Sequence, residues 1–568
     1  MLAAALVAAF IGQCLWFASA NGQTYDEGVT LAAGMRLLET GRDDINQEHP
    51  PLSKRLVAWP VHRFALAHLD IEPWRARRES AFGLGRDLFY NSGVPHTRLL
   101  WLGRLPVIAT AVLTLLATGL FAWRLFGPAA GLLALGLAAF DPTLVAHGSL
   151  ISMDMPLTLF VTVGFLCLRE SLQARRPVWL WTAGICVGLA TATKFSGPVF
   201  MAGLGVGLVT AALTGTRLAA WWDLHTPART RGGALLHACA NGALLLAVGA
   251  VVLQLVIGRA GWPAFFVGVQ AQIAHQAAGH PAFFLGEISR TGWTWYFPAA
   301  LAMKLPPLTL VACLGSIALW RRGAPWKDGF AVVVAPLAVL LLSLLFASID
   351  IGVRYALPLW PLVIVAASRV ATWGWPPRVS VRLAVVAALL YHPATALRAA
   401  PHDLAYFSDL VGGPSNSMRL LADSNLDWGQ DIETLRRWLT TQERPKRLYL
   451  SYFGTADPRG YGIVYYPAPN SCAHAAPWVP EVEPDTGRTL LVVSAMNLQG
   501  VYFGDPSAYA WLTRKAPVVV LGHSMAVYDI TNDADAHASL AQMYERFGPA
   551  PFAADASARA LRLRAGVR

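Results

Sequence analysis

Two adjacent carboxylates, Asp26 and Glu27, stand directly after the first apolar run, in Tyr25-Asp26-Glu27-Gly28. A carboxylate at a membrane surface can take a proton from a hydroxyl nucleophile or can be a solvated loop acid, and position alone leaves both open. The same loop continues Asn46-Gln47-Glu48-His49-Pro50-Pro51-Leu52. Its prolines hold an extended chain beside an acid and an imidazole, or make a rigid turn. A second group follows in Asp141-Pro142-Thr143-Leu144-Val145-Ala146-His147-Gly148 and Met153-Asp154-Met155-Pro156. Ionisable groups so near hydrocarbon are expensive and usually line a cavity or pair with one another. Asp141 and Asp154 equally suit helix caps beside their prolines. Lys194, in Thr193-Lys194-Phe195-Ser196-Gly197, and Arg354, in Asp350-Ile351-Gly352-Val353-Arg354-Tyr355, are the only basic residues of two short turns. Snorkelling to head groups would explain each. As isolated cations they also suit an anionic ligand such as a lipid phosphate.

These residues fall between long apolar runs. Of 568 residues, 55% are hydrophobic and 14% charged, whereas a soluble domain carries about a quarter charged residues. The pattern predicts a polytopic α-helical membrane protein with about eleven transmembrane helices by the length criterion. They lie near 1 to 18, 100 to 123, 128 to 146, 155 to 169, 178 to 194, 197 to 213, 234 to 257, 294 to 319, 330 to 347, 355 to 371 and 381 to 399. The first run, ending Phe17-Ala18-Ser19-Ala20, is read as an uncleaved span rather than a leader. With a cytoplasmic amino terminus, the inner loops hold Arg124; Arg169, Arg175 and Arg176; Arg217, Arg229 and Arg231; Arg321, Arg322 and Lys327; and Arg369, Arg378 and Arg382. That asymmetry obeys the positive-inside rule and places outside a long first loop, residues 20 to 98, and the tail from 400 to 568. The tail mixes a helical stretch at 428 to 441 with apolar stretches at 447 to 453, 489 to 495 and 518 to 530, which reads as a small extracytoplasmic α/β domain. Its Ala- and Arg-rich end, 553 to 568, is expected to fray. The net charge of +11 lies mostly between apolar runs and forms no basic tract of a nucleic-acid binder. Five of six cysteines lie in apolar runs, so no disulfide framework is legible.

In order along the chain, Tyr25-Asp26-Glu27, Glu48-His49-Pro50-Pro51-Leu52, Ala146-His147-Gly148 with Asp154-Met155-Pro156, Thr193-Lys194-Phe195-Ser196-Gly197, Gly279-His280-Pro281 with Gly286-Glu287-Ile288-Ser289-Arg290, Ile351-Gly352-Val353-Arg354-Tyr355 and Asp423-Ser424-Asn425-Leu426-Asp427-Trp428-Gly429-Gln430-Asp431 resemble glycosyltransferase family 39. This family of the C superfamily includes the protein O-mannosyltransferases and, more distantly, the aminoarabinose transferase of lipid A. The resemblance implies a transmembrane glycosyltransferase domain over 1 to 399 in the cytoplasmic (inner) membrane. It implies transfer of a hexose or pentose from a polyprenyl phosphate carrier to a hydroxyl of a protein or of an envelope lipid or glycan. By motif the base falls on Asp26, with Glu27 beside it; Asp154 helps hold the site, and Lys194 and Arg354 hold the carrier phosphate. Glu48, His49 and His147 join them as substrate contacts. The eukaryotic β-trefoil insertion is missing, so a protein acceptor is not inherited.

Attack opposite a departing phosphate would invert the anomeric centre without a second carboxylate nucleophile. No metal is assigned, although a carboxylate and histidine group could hold a divalent ion; zinc-type ligand spacing is absent. Asp533-Ala534-Asp535 matches a nucleotide-sugar pattern too short to carry weight. Two other classes stay open: a transporter of a lipid or anionic solute lined by Lys194, Arg354 and Asp154, and a membrane scaffold that docks through 423 to 431.

Overall fold

A computed structural model describes residues 1–174, 176–214, 230–318, 329–443, 445–475, 480, 487–548 and 550–566. Arg175, Arg217, Arg229, Arg321, Arg322 and Lys327, counted above as loop cations, lie outside these residues. Among the described residues six helices are long and apolar enough to cross a membrane: Leu2–Ala20, His96–Phe126, Asp154–Gln173, Arg231–Ile257, Val353–Trp373 and Val379–Ala399. The chain is an integral membrane protein. The other five expected spans are each shorter or broken. Tyr296–Lys304 and Pro307–Ala318 meet at 117°, because Pro306 and Pro307 remove two backbone donors and bar Leu305 from helical geometry. Pro128–Ala139 stops early, since Asp141 accepts a hydrogen bond from Leu144 N at 3.0 Å and starts the separate helix Pro142–His147. Val178–Thr193, Gly197–Leu213 and Phe330–Leu345 are apolar but no longer than 17 residues.

The long first loop is itself helical. Glu27–Thr40 crosses Ala81–Asn91 at a pair of glycines, and a Cβ on Gly85 would stand 2.5 Å from Gly28 C. That close approach fixes the helix that begins at Asp26.

In the tail, strands β3 (Arg447–Ser451), β4 (Tyr466–Pro467), β5 (Thr489–Ser494), β6 (Val519–Leu521) and β7 (Met525–Asp529) form one sheet in the order β4-β3-β5-β7-β6. A hairpin of β1 (Ala282–Phe284) and β2 (Glu287–Ser289) precedes them in the chain. The strands β3, β4 and β5 run parallel, and β7 and β6 join antiparallel. Every residue of β3 and β5 is buried. The two-residue period of a strand sends Leu448, Leu450, Leu490 and Val492 toward Ile432 and Leu435 on one face. Tyr449, Leu491 and Val493 go to the other face, against Leu540, Tyr544 and Phe552. The chain end expected to fray is instead the helix Ala550–Arg564, held because Phe552, Ala556 and Ala560 are buried.

Candidate active site

A cavity of about 820 Å³ lies where the first loop, the ends of several spans and the tail meet. Asp26, Glu48, His49, Asp154, Lys194 and Arg354 all line it. Arg354 Nη1 donates to Asp26 Oδ2 at 2.9 Å, joining residues 328 positions apart. Lys194 Nζ donates to Asp154 Oδ1 at 2.6 Å. The Tyr355 ring serves both cations: Lys194 Nζ sits 4.3 Å from its centroid and the Arg354 guanidinium 5.4 Å. Arg354 also lies 4.5 Å from the Trp428 ring. Its Nε is buried without a hydrogen-bond partner. Two cations are thus held side by side on one aromatic plate, with a donor still unused.

His49 belongs to the same cluster. Burial, then Lys194, pushes its imidazole down to about 3, so it adds no third cation at neutral pH. Its Nδ1 has no hydrogen-bond partner. Glu48 is more open, with a carboxylate oxygen 4.0 Å from His275 Nδ1.

The structure does not bring Glu27 into the cavity. Its side chain is fully buried and both oxygens are committed: Oε1 accepts from Arg104 Nε and Ile151 N, and Oε2 from Arg104 Nη2 and Thr24 N, at 2.7 to 3.0 Å. Arg104 also donates to the carbonyls of Ala18, Asn21 and Gly22. Glu27 is a strut that fixes the start of the loop, with Asp26 at its edge. His147 is buried at the end of its short helix and is likewise not among the cavity-lining residues. Asp141 caps that helix and accepts from Trp360 Nε1 at 3.0 Å. Asp533 caps Ala534–Phe547 and pairs with Lys515, a structural use of the short acidic pattern.

The segment 423–431 proves central. Tyr25 N donates to Trp428 O, Gly22 N to Gln430 O, and Val353 N to Asn425 Oδ1, each at 2.8 or 2.9 Å. Ser424 Oγ reaches Ile351 O at 2.8 Å. A Cβ at Gly352, whose φ is 156°, would stand 2.0 Å from Ser424 Oγ, so glycine permits this contact. The tail segment therefore ties the loop carrying Asp26 to the turn carrying Arg354. Lys304, at the broken span, donates to the carbonyls of Leu404, Tyr406 and Asn425 and anchors the segment from beneath.

Asp423, at the head of this segment, also lines the cavity. It has φ 55°, accepts from its neighbour Ser424 N at 2.6 Å, and takes the Tyr502 hydroxyl on Oδ2 at 3.1 Å. Burial raises its carboxyl above the usual range, while the Arg354 charge pulls it back. Beside it Tyr25, Phe453 and Tyr502 form a stack with centroids 5.2 and 5.5 Å apart. Of these residues Asp423 and Trp428 stood in a quoted motif read only as a docking edge, with no part in the site, and a lone Arg104 or Lys304 in an apolar run signals a paired charge. Tyr502 and Phe453 carry no local signal. Among the described residues no three His, Cys, Asp and Glu side chains gather as metal ligands.

Residues 88–257 match the sequence model of the dolichyl-phosphate-mannose-protein mannosyltransferase family. The recognition made from the motifs is borne out there. No curated protein matches the chain. Among solved structures, ArnT from Cupriavidus metallidurans bound to undecaprenyl phosphate is 14% identical, with 93% of this chain and 97% of that one covered and a TM-score of 0.48. Its apo form is 16% identical, over 93% and 98%, at 0.47. The apo Archaeoglobus fulgidus oligosaccharyltransferase is 12% identical, over 96% and 72%, at 0.43.

Proposed function

With that family match as premise, we propose that this chain is an inverting glycosyltransferase. It moves a sugar from a polyprenyl phosphate carrier to an acceptor hydroxyl at the extracytoplasmic face of the cytoplasmic membrane. The observation that carries this is the placement of Asp26, in one cavity, against Arg354 and beside the Lys194–Asp154 pair.

The chemistry follows from the groups. The carrier phosphate engages Lys194 and Arg354, whose charges stabilise the negative charge that grows as the phosphate leaves. Each cation is already paired with a carboxylate, so the phosphate competes for it and frees Asp26 to accept a hydrogen bond from the acceptor. The acceptor oxygen then attacks the anomeric carbon as its proton passes to Asp26. The bond from that carbon to the phosphate oxygen breaks, and the polyprenyl phosphate leaves with the electron pair. His49 and Glu48 contact a substrate from the first loop. A hydroxyl acceptor could belong to a protein or to an envelope lipid or glycan.

The test is Asp26→Asn, which keeps shape and removes charge. Positioned base catalysis is worth roughly 10²- to 10⁴-fold, so transfer from lipid-linked sugar falls by at least about a hundredfold while the chain inserts normally. Near-native transfer in this variant would overturn the assignment and move the test to Glu48 and Asp154.

A further inference from the structure

We infer that Asp423, with Tyr502 and His280, forms a second recognition wall of the cavity that holds the ring hydroxyls of a sugar. This rests on the transfer reading above and adds to it the group that reads the sugar.

The cavity carboxylates divide by what they hold. Asp26 is bonded to Arg354, Asp154 to Lys194, and Glu48 is open to solvent. Asp423 is only 7% exposed, yet no Lys or Arg bonds to it among the described residues. An ionised carboxylate offers about four lone-pair sites, of which Ser424 N and the Tyr502 hydroxyl take two. A buried carboxylate with spare acceptor capacity, facing a cavity, is costly unless a ligand supplies donors.

The backbone is also arranged at a cost. Asp423 has the left-handed φ of 55°, and its N–H is directed at the Met496 sulfur, a weak acceptor. Such conformations persist where the surroundings enforce them, often at ligand sites.

The neighbours define the ligand class. His280 Nδ1 lies 3.0 Å from Pro281 O, which assigns its hydrogen to Nδ1 and leaves Nε2 as an acceptor. Its ring meets Tyr502 edge-on at 5.5 Å. A carboxylate, a phenol oxygen and a neutral imidazole nitrogen together repel an anion and accept hydrogen bonds from hydroxyls. The half-buried Tyr502 ring, backed by Phe453, adds an apolar surface for the C–H side of a sugar. The polyol could be the sugar of the donor or a sugar on a glycan acceptor, since both offer the same groups.

The experiment uses the purified full chain, polyprenyl-phosphate sugars extracted from host membranes as donor, and envelope from cells lacking the chain, its lipids retained, as acceptor. Asp423→Gly suits the left-handed backbone while deleting the carboxylate; Asp423→Asn keeps its shape; Tyr502→Phe keeps the fold if either fails. The two Asp423 variants should lose roughly 10- to 100-fold in kcat/KM, the worth of hydrogen bonds to a charged group, and Tyr502→Phe roughly threefold to tenfold. Sugar-free undecaprenyl phosphate should inhibit every variant as strongly as the native chain, because it has no ring to lose. A raised donor KM assigns the wall to the donor sugar; a raised acceptor KM alone assigns it to a glycan acceptor. Transfer within about twofold of native in Asp423→Gly and Tyr502→Phe overturns the inference. Inhibition by undecaprenyl phosphate that weakens in parallel also overturns it, since Asp423 would then act through Arg354. A native chain that transfers nothing from the extract fails at the transfer reading instead.

Discussion

Lys194 and Arg354 are each paired with a carboxylate before any ligand arrives, which sets what their removal does. On the proposed transfer reading Arg354→Ala takes a cation from the carrier phosphate, and it leaves Asp26 in the cavity without its partner. In Lys194→Ala the same holds for Asp154. Truncating one partner of a buried charged pair costs about 2–5 kcal/mol, so donor handling should weaken by tens-fold or more, read as a raised apparent KM for lipid-linked sugar. Unchanged donor dependence in both variants would return these residues to simple membrane snorkelling. His49 gives a pH signature at the same scale. Its folded value of about 3 lies below its ordinary 6.5, so the folded chain binds that proton less readily than the unfolded chain. The stability this contributes is present above about 6.5 and is lost as pH falls from there toward 3. Buried Asp403 and Asp427, pushed up to about 7 and about 8, act in the opposite sense, losing stability as pH rises. The expected outcome is therefore a difference: melting of His49→Gln in detergent should decline less between pH 7 and pH 5 than melting of the native chain. Parallel curves would mean that His49 titrates normally.

At the scale of elements, the first loop is held by a strut rather than by its own packing alone. Glu27 and Arg104 are buried and share their bonds with backbone groups of residues 18 to 24 and 151. Breaking such a pair from one side costs about 3–5 kcal/mol, so Arg104→Met and Glu27→Gln should express poorly or melt early. Replacing both partners with apolar residues often rescues an isolated buried pair. Here Glu27→Met with Arg104→Met should not, because the backbone carbonyls and amides they serve would stay unpaired; recovery of native melting in that double variant would contradict the strut. This also marks what the sequence made legible. The adjacent acids Asp26 and Glu27 look equivalent in the sequence, and which one turns into the cavity depends on Arg104, 77 positions away from Glu27. The cations Lys194 and Arg354 were readable from their isolation, whereas their partners were not, since pairing across 40 and 328 positions is a tertiary fact. The broken span at Pro306-Pro307 was written in the sequence and masked only by its high apolar content. The terminal helix was missed because alanine-rich composition looks weak until Phe552 and Ala556 find a sheet to cover.

At the scale of the whole molecule, the cavity draws on span ends (Asp154, Lys194, Arg354), on the first loop (Asp26) and on the tail (Asp423, Trp428, Tyr502). Parts so far apart in the chain can share one cavity only if all lie at the same membrane face, so a single topology measurement decides the compartment of the whole site. The arginine asymmetry of the loops argues that this face is outside. It matters chemically, because nucleotide sugars are not expected there and a donor must then cross the bilayer on a lipid. Alkaline phosphatase fused after Arg398, at the end of Val379–Ala399, should be active, and a cytoplasmic fluorescent reporter at the same place should stay dark. Cysteine substitutions at exposed Arg514 and Glu545, labelled by a membrane-impermeant reagent in intact cells, give the same answer without a fusion. A dark phosphatase with a bright cytoplasmic reporter would place Asp26, Lys194 and Arg354 inside together. The geometry of the site would survive that result, but the need for a lipid-carried donor would not, and a soluble activated sugar would become the donor to test.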